Sequence, residues 1–239
     1  EIAYSIQKWD PDIICLQEYN TKERPNDAAN HAIYFEKNYP YSFFSKDYQT
    51  ADPNYYAGCI IYSKYPIIDS KRKAFLNGES VIYATVLKGD DTIRVYTTHL
   101  ASYRFKQNDF EFHETPTNNL EVKANRGVAK KMKQAFIERA VQADIVRTEL
   151  DQSPYPTIIT GDFNDVPSSY TYTTIKGNLQ DAFLKKGFGI GLTFMGLSPT
   201  LRIDYILADD RWDIKAWESV DENLSDHHMV FSDLLLKKN

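Results

Sequence analysis

The stretch Thr157-Ile158-Ile159-Thr160-Gly161-Asp162-Phe163-Asn164 contains the pattern that decides the fold of this chain of 239 residues. A short run of β-branched residues leads into a glycine, and a carboxylate and an amide follow it closely. Runs of this composition favour a buried strand, so polar groups directly behind the run lie at the end of that strand. The same arrangement recurs along the chain, and it predicts both the architecture and the place of a functional site.

Short apolar runs alternate with helical segments and loops, and the sequence shows no internal repeat, low-complexity tract or linker. Apolar residues at helical spacing predict a long helix over residues 125–150, and shorter helical segments are expected at residues 2–9 and 28–37. Strands are predicted at residues 13–16, 58–63, 81–87, 93–100, 157–160, 203–208 and 229–236. Because these runs are apolar on both faces, we predict one α/β (α+β) domain over residues 1–239, a sandwich with helices outside.

The composition is that of an ordinary folded protein, with 42% hydrophobic, 26% charged and 14% aromatic residues. The formal net charge of -5 argues against a protein that holds long duplex DNA by broad phosphate neutralisation. Cys15 and Cys59 lie in apolar runs, which predicts buried free thiols rather than a disulfide. The sequence contains no apolar stretch of transmembrane length and no signal peptide, so no compartment is assigned, and an upstream anchor or signal segment is compatible with it.

Polar side chains suited to phosphate chemistry lie at the ends of these apolar runs. They come from separate segments of the chain and comprise Glu18, His99, Asp162, Asn164, Asp204, Asp226 and His227. Strand ends of one sheet system converge, and a lone buried carboxylate is costly, so we expect these groups to share a site. Any one of them alone is more often a cap, a turn former or a structural histidine, and the prediction rests on the set.

The chemistry of this set favours a hard divalent cation. Mg²⁺, with Mn²⁺ as an alternative, prefers carboxylate oxygens and keeps waters for a substrate phosphate. The sequence has no Cys/His cluster at zinc spacing, no glycine-rich phosphate loop and no Gly-x-Ser-x-Gly motif. The set therefore predicts a site for a hard divalent cation, without the signature of a zinc centre, a nucleotide-binding loop or a serine nucleophile.

Five motifs in order along the chain resemble the endonuclease/exonuclease/phosphatase superfamily of deoxyribonuclease-like phosphoesterases. They are Pro11-Asp12-Ile13-Ile14-Cys15-Leu16-Gln17-Glu18, Thr98-His99-Leu100, Gly161-Asp162-Phe163-Asn164, Arg202-Ile203-Asp204-Tyr205-Ile206 and Ser225-Asp226-His227. Residues 58–63 and 139–143 match weaker structural signatures of the same superfamily. The resemblance implies a four-layer sandwich in which two mixed β-sheets pack face to face with helices outside. With the polar set it predicts a Mg-dependent hydrolase of phosphate esters that activates a water for in-line attack. The alternative is a non-catalytic module on the same fold that binds a phospho-ligand or a partner.

The resemblance also implies roles. Glu18 is similar to the metal-binding glutamate, and Asp226 to an aspartate that supports the metal. Asp162 resembles the residue that takes a proton from the attacking water, and Asn164 the one that orients water or substrate. The remaining roles concern the phosphate: His227 and His99 resemble histidines that contact it, and Asp204 resembles the aspartate that orients His227.

Three arginines are predicted to bind the substrate phosphate: Arg104, Arg126 and Arg202. The first lies in the segment 101–125, which is long for a loop and rich in polar and aromatic residues. Such loops are often functional, and the alternative is a surface insertion. The expected substrate is a nucleic acid, a phospholipid or a small phosphodiester, and we expect a monomer without a stable protein partner.

In one respect the sequence departs from the superfamily pattern. Members open with a strand that carries a metal-binding asparagine, and the sequence has no counterpart of it before Glu18. We therefore expect the first strand to be missing, with a gap or an exposed sheet edge in its place. For the chain as given we predict weak Mg²⁺ binding.

Overall fold

A computed structural model describes residues 1–24, 26–52, 54–105, 110–114, 120–124, 126–195 and 201–238, without the side chains of residues 110–114, 120–124 and 126. The helices are α1 (Ile2–Lys8), α2 (Arg126–Asp151), α3 (Tyr170–Lys176) and α4 (Ala182–Lys186). The strands are β1 (Ile13–Lys22), β2 (Tyr41–Phe44), β3 (Tyr48–Gln49), β4 (Tyr55–Ser63), β5 (Ile67–Ala74), β6 (Ser80–Lys88), β7 (Asp91–His99), β8 (Phe110–Glu114), β9 (Leu120–Ala124), β10 (Thr157–Asp162), β11 (Gln180–Asp181), β12 (Asp204–Ala208), β13 (Trp212–Val220) and β14 (Met229–Leu236). The mixed α/β class predicted from the sequence is confirmed.

The strands form two main sheets. One has six strands in the order β11-β12-β10-β7-β6-β5, and it is mixed because β10 runs parallel to β7 while the other pairs are antiparallel. The other has four antiparallel strands, with β4 between β1 and β2 and with β3 also paired to β4. Two further antiparallel pairs, β13 with β14 and β8 with β9, stand apart from these sheets.

Three apolar clusters show how the layers are stacked. Ile61, Val95 and Ile158 belong to the cluster between the two main sheets, where side chains of both inner faces meet. A second cluster joins the outer face of the six-stranded sheet to α2 and α3, and a third joins the outer face of the four-stranded sheet to α1 and to the residues around Phe35. Helical segments thus cover both outer faces, so the predicted four-layer arrangement is confirmed.

The sandwich is open along one side. Within the described residues, β1 pairs only with β4 and β14 pairs only with β13, and a cleft of about 1040 Å³ lies between these two edges. Three polar atoms that face no hydrogen-bond partner in the described part of the chain belong to residues lining this cleft: Thr160 Oγ1, Trp212 Nε1 and His228 Nε2. Within the described residues, the four-stranded sheet is antiparallel rather than mixed. That a strand is missing here stays a prediction.

The helix predicted over residues 28–37 is wrong, because only a single 3-10 turn, His31–Tyr34, forms there. Its flanking backbone is bonded to the end of β1 instead: Lys22 N donates to Ala29 O, and His31 N donates to Thr21 Oγ1. The segment 101–125 is not a plain loop either, since β8 and β9 pair within it, although residues 106–109, 115–119 and 125 lie outside the described chain. No helix in the described ranges combines the length and apolarity needed to cross a membrane.

Candidate active site

Three neighbouring strands of the six-stranded sheet carry the centre of the site. The register places Asp162 of β10 beside His99 of the parallel strand β7, and on its other side beside Asp204, the first residue of the antiparallel strand β12. The three residues thus form one row across the sheet edge, which we call the central row. The expectation that separate strand ends would bring these side chains together agrees with this geometry.

Gly161 allows β10 to approach β7 closely behind the central row. A Cβ atom at this position, where φ is +151°, would lie 2.2 Å from the carbonyl oxygen of Thr98, so only glycine fits. After Phe163 the chain turns at Asn164, whose φ of +51° is one that asparagine tolerates better than most residues. The backbone N–H of Asn164 donates to Asp162 Oδ1 over 2.7 Å, which fixes the carboxylate against the turn.

The side-chain amide of Asn164 connects this turn to the end of β7. Its Nδ2 lies 2.9 Å from the carbonyl oxygen of Leu100, 3.1 Å from Asp162 Oδ2 and 3.1 Å from Nε2 of His99. The first two are acceptors, which identifies the atom as the amide nitrogen. An amide nitrogen only donates, and Nδ1 on the other side of the ring faces the Glu79 carboxylate, so we assign the neutral His99 ring with its proton on Nδ1 and with Nε2 as the acceptor.

Glu79 is a residue of the site that the sequence prediction missed. One of its carboxylate oxygens lies 3.8 Å from Nδ1 of His99, on the side where the ring carries its proton. The other oxygen accepts a 2.8 Å hydrogen bond from the amide of Asn77, and the residue is 9% exposed. Glu79 directly precedes the apolar strand β6, so the rule that selected the other strand-end residues would also have found it.

His227 forms the second histidine pair of the site. Its Nδ1 lies 3.0 Å from Asp204 Oδ2 and its Nε2 lies 3.9 Å from Asp162 Oδ2, while the ring of Phe194 packs against it at a centroid distance of 4.7 Å. Asp204 is itself fixed in place, because its backbone N–H donates to the side-chain Oγ1 of the fully buried Thr193. Phe194 and Thr193 lie outside any apolar run, so the strand-end pattern gave no signal for them.

The environment of the central row changes the protonation of two groups. Burial raises the pKa of Asp162 to about 7, and the charge of Asp204 adds to the rise, while His99 and His227 oppose it. Burial alone would lower the pKa of His227, but the hydrogen bond and charge of Asp204 outweigh it and raise the pKa to about 9. At neutral pH His227 is therefore a cation beside a carboxyl group that titrates near neutrality.

Glu18 reaches the site from the four-stranded sheet. The prediction that it lies past the end of its strand is wrong, since β1 continues to Lys22 and Glu18 sits at an irregularity of pairing between Leu16 and Tyr19, with φ at +51°. This bulge re-aims the side chain, as bulges commonly do near functional sites. The carboxylate is 78% exposed, and its Oε1 lies 3.6 Å from Nε2 of His99.

The remaining predicted residues do not join this cluster. Asp226 is exposed. Among the described residues its carboxylate accepts a hydrogen bond from the adjacent Ser225, and its backbone carbonyl oxygen accepts one from the N–H of Met195. The prediction that Arg202 binds the substrate phosphate is wrong. This arginine is 4% exposed, its guanidinium donates to Asp181 over 2.7 Å, and it packs against aromatic rings, so it is unavailable to a substrate. Arg104 is exposed near Glu138 at 3.8 Å, and the side chain of Arg126 lies outside the described residues.

Two groupings in the site offer ligands for a divalent cation. Asp162, Asp204 and His227 place one ligand atom each within 4.8 Å of one another, but His227 Nδ1 is engaged with Asp204. Glu18 and Asp162 place carboxylate oxygens 3.6 Å from the same nitrogen of His99. The second grouping is the better fit for Mg²⁺ or Mn²⁺, because it offers hard oxygens and an open, solvated side.

The family model described as "Endonuclease/Exonuclease/phosphatase family" matches residues 1–227, and the chain belongs to this family. The resemblance noted in the sequence is thereby confirmed. No curated protein sequence matches the chain significantly.

Solved structures share the fold at low sequence identity. An endonuclease/exonuclease/phosphatase from Beutenbergia cavernae is 22% identical with a TM-score of 0.68, and the match covers 98% of this chain but 65% of that protein. The human Nocturnin catalytic domain with bound sulfate is 17% identical (TM-score 0.67, 99% of this chain and 85% of that one). A mannosyl-6-phosphatase from Bacteroides thetaiotaomicron is 18% identical (TM-score 0.61, 98% and 89%).

Proposed function

We propose that this chain is a metal-dependent hydrolase of phosphate esters that acts by in-line attack of an activated water. One observation carries the proposal: Asp162 lies between two histidines, with Oδ2 3.6 Å from His99 Nε2 and 3.9 Å from His227 Nε2. A carboxylate beside two imidazole rings, of which His227 is a cation at neutral pH, provides a base next to groups that bind phosphate oxygens. Membership of the family and the named activity of the mannosyl-6-phosphatase support the same class of reaction.

Asp162 is the proposed base that takes the proton from the attacking water. Its pKa of about 7 lies close to physiological pH, which suits a group that must accept a proton and release it again. Asn164 holds both oxygens of this carboxylate, Oδ1 through its backbone N–H and Oδ2 through its side-chain amide. These two contacts give the base a fixed orientation before the substrate arrives.

His227 is the proposed donor to a phosphate oxygen in the transition state. Its Nδ1 is held by Asp204, so Nε2 is the atom that points away from the carboxylate and carries a proton at neutral pH. The ring proton of His99 faces Glu79, and its Nε2 faces the amide of Asn164. We propose that these two side chains together orient the substrate beside the central row.

Glu18 and Asp162 are the residues that would hold the divalent cation. When bound, the cation supplies neutralisation of the charge that develops on the phosphoryl and leaving oxygens. A cation beside Asp162 also favours its carboxylate form, which increases the fraction of the protein that is ready to act as a base. For this reason the metal dependence and the acid limb of the pH profile are coupled in this proposal.

Turnover of bis-(p-nitrophenyl) phosphate and p-nitrophenyl phosphate tests the proposal and distinguishes diester from monoester preference. Release of p-nitrophenol is expected with Mg²⁺ or Mn²⁺, is expected to stop in EDTA, and should be lost in Asp162→Ala and His227→Ala proteins that remain folded. Asp210→Asn, which changes an exposed aspartate outside the site, serves as the matched control. Undiminished turnover in both alanine variants would overturn the mechanism.

The substrate itself is proposed only by class. The net charge of -5 favours small phosphodiesters, phospholipid headgroups or short single strands over long duplex DNA. A panel of DNA, RNA, phosphoinositide and sphingomyelin with Mg²⁺ would choose among them, because one fold serves many substrates. Calorimetric binding of a panel member without turnover of any would favour the non-catalytic module instead.

A further inference from the structure

We infer that Arg139 and Gln142, both on α2, are positioning residues that hold the turn after β7 against the turn after β10. The inference rests on the proposed function, because His99 directly precedes the first turn and Asn164 lies in the second. Neither α2 residue touches the reacting groups, so their effect on turnover would pass through the backbone between them and the site.

Arg139 bridges the two turns directly. Its side chain is fully buried, with Nε 3.1 Å from Asp165 Oδ2 and Nη1 2.8 Å from the carbonyl oxygen of Ala101. Asp165 follows Asn164, and Ala101 comes two residues after His99. The rings of Tyr103 and Phe136 lie 4.5 Å and 5.0 Å from the guanidinium carbon, which keeps the group from swinging away.

Gln142 binds the backbone N–H of Ala101, the residue whose carbonyl oxygen Arg139 binds. Its Oε1 accepts a 2.9 Å hydrogen bond from the backbone N–H of Ala101, and its Nε2 donates to Oδ1 of Asn77 over 3.3 Å. Asn77 in turn donates to Glu79, the carboxylate beside His99. Both the N–H and the C=O of Ala101 are thus bound by side chains of one helix, one turn apart.

The contacts continue from Ala101 into the central row. Leu100, directly before it, donates its N–H to the carbonyl oxygen of Asp162 over 3.0 Å and accepts from the amide of Asn164 over 2.9 Å. A displacement of Ala101 therefore shifts the partners of both Asp162 and Asn164. Losses of about 10²-fold in rate follow from misplacements of about 1 Å, so the expected effect lies in kcat.

A lysine cannot replace this bridge. The guanidinium offers several donors in a fixed planar fork and serves two acceptors on different turns, whereas an ammonium is a single point charge on a flexible stem. Arg147 offers a matched comparison on the same helix. It donates to the carbonyl oxygen of Ile175 and pairs with Asp151, away from the site, so Arg147→Lys tests the loss of a guanidinium without the bridge.

The decisive experiment compares Arg139→Lys with Arg147→Lys in the whole chain, with Mg²⁺ and bis-(p-nitrophenyl) phosphate. Arg139→Lys is expected to lower kcat by about 10- to 100-fold with KM changed less than about threefold, while Arg147→Lys keeps kcat within about twofold. Equal kcat values in the two folded variants would overturn the inference.

A second pair covers the case in which Arg139→Lys does not fold. Gln142→Glu keeps the acceptor for the N–H of Ala101 and loses only the donor to Asn77, whereas Gln142→Met loses both at similar size, so the glutamate variant should retain more of kcat. Equal losses in both would contradict a positioning role.

The imidazole resonances of His99, followed by NMR, report on the same geometry without turnover. They should shift in Arg139→Lys and stay unchanged in Arg147→Lys. If the unaltered chain hydrolyses nothing, the proposed function fails, but these resonances still decide the inference: a spectrum of His99 that is identical in both variants would overturn it.

Discussion

The central row and the segment around Glu18 meet in one site, but they are held in different ways. His99, Asp162 and Asp204 lie on three neighbouring strands, and their side chains are 8–15% exposed. Glu18 lies at a bulge in β1, an edge strand among the described residues, with 78% of its side chain exposed. Backbone pairing on both sides of Asp162 makes the row a fixed frame for the proposed proton transfer, whereas an exposed carboxylate at a bulge suits a ligand that comes and goes.

The largest effect expected from this comparison is in the row. Asp204→Asn keeps the shape of the side chain but removes the charge that holds His227 protonated and in one orientation. Loss of an orienting carboxylate beside a catalytic histidine lowers kcat by about 10²–10⁴-fold, and we expect a loss in that range here. Steady-state kinetics with a saturating diester substrate measures it, with Asp210→Asn as the control. A loss below about tenfold would show that Asp204 does not serve the histidine.

A smaller and qualitatively different effect is expected at Glu18. Glu18→Gln should raise the Mg²⁺ concentration for half-maximal activity by about 10- to 100-fold, a range typical for loss of one metal-supporting group, and should leave most of kcat at saturating metal. Metal titrations of the rate separate the two quantities. If the variant instead loses kcat at every Mg²⁺ concentration, Glu18 belongs with the row rather than with the metal.

The two pairs of a carboxylate and a histidine in the site are expected to differ in their effect on kcat, because their distances differ. Asp204 Oδ2 lies 3.0 Å from His227, within hydrogen-bond range, whereas Glu79 lies 3.8 Å from His99. Glu79→Gln should therefore lower kcat by only about 3- to 30-fold, less than Asp204→Asn. Measuring both variants side by side under the same conditions checks the order, and the reverse order would mean that His99 is the more important histidine.

The strand-end pattern is sufficient to predict the central row of the site, but not the buried contacts of the residues around it. Local apolar runs were enough to predict Asp162 and its row, because strand pairing then places the residues at neighbouring strand ends side by side. Glu79 obeys the same rule and was overlooked. Arg202 lies two positions before Asp204 in the sequence, yet its guanidinium turns into the core to meet Asp181, 21 positions earlier. Local patterns carry no information about such a distant partner or about the loop that places Thr193 under Asp204.

The smallest effect concerns stability, and its sign follows from His227. Its pKa is about 9 in the folded chain against an ordinary value of 6.5, so the folded state binds the proton more tightly. The stabilisation is complete below pH 6.5 and is lost as the pH rises through 9. In EDTA, the melting temperature should fall by roughly 2–6 °C between these limits.

Asp204→Asn provides the comparison for this slope, because it removes the partner that raises the pKa of His227. The variant should melt at a lower temperature at pH 6.5 and show a flatter dependence up to pH 9. Asp162 contributes in a lower window: its raised pKa means that the folded chain holds that proton up to about pH 7, so its ionisation destabilises the fold before His227 titrates. A variant with the full slope of the unaltered chain between pH 7 and 9 would place the titrating group elsewhere, and would separate the stability of the central row from its proposed chemistry.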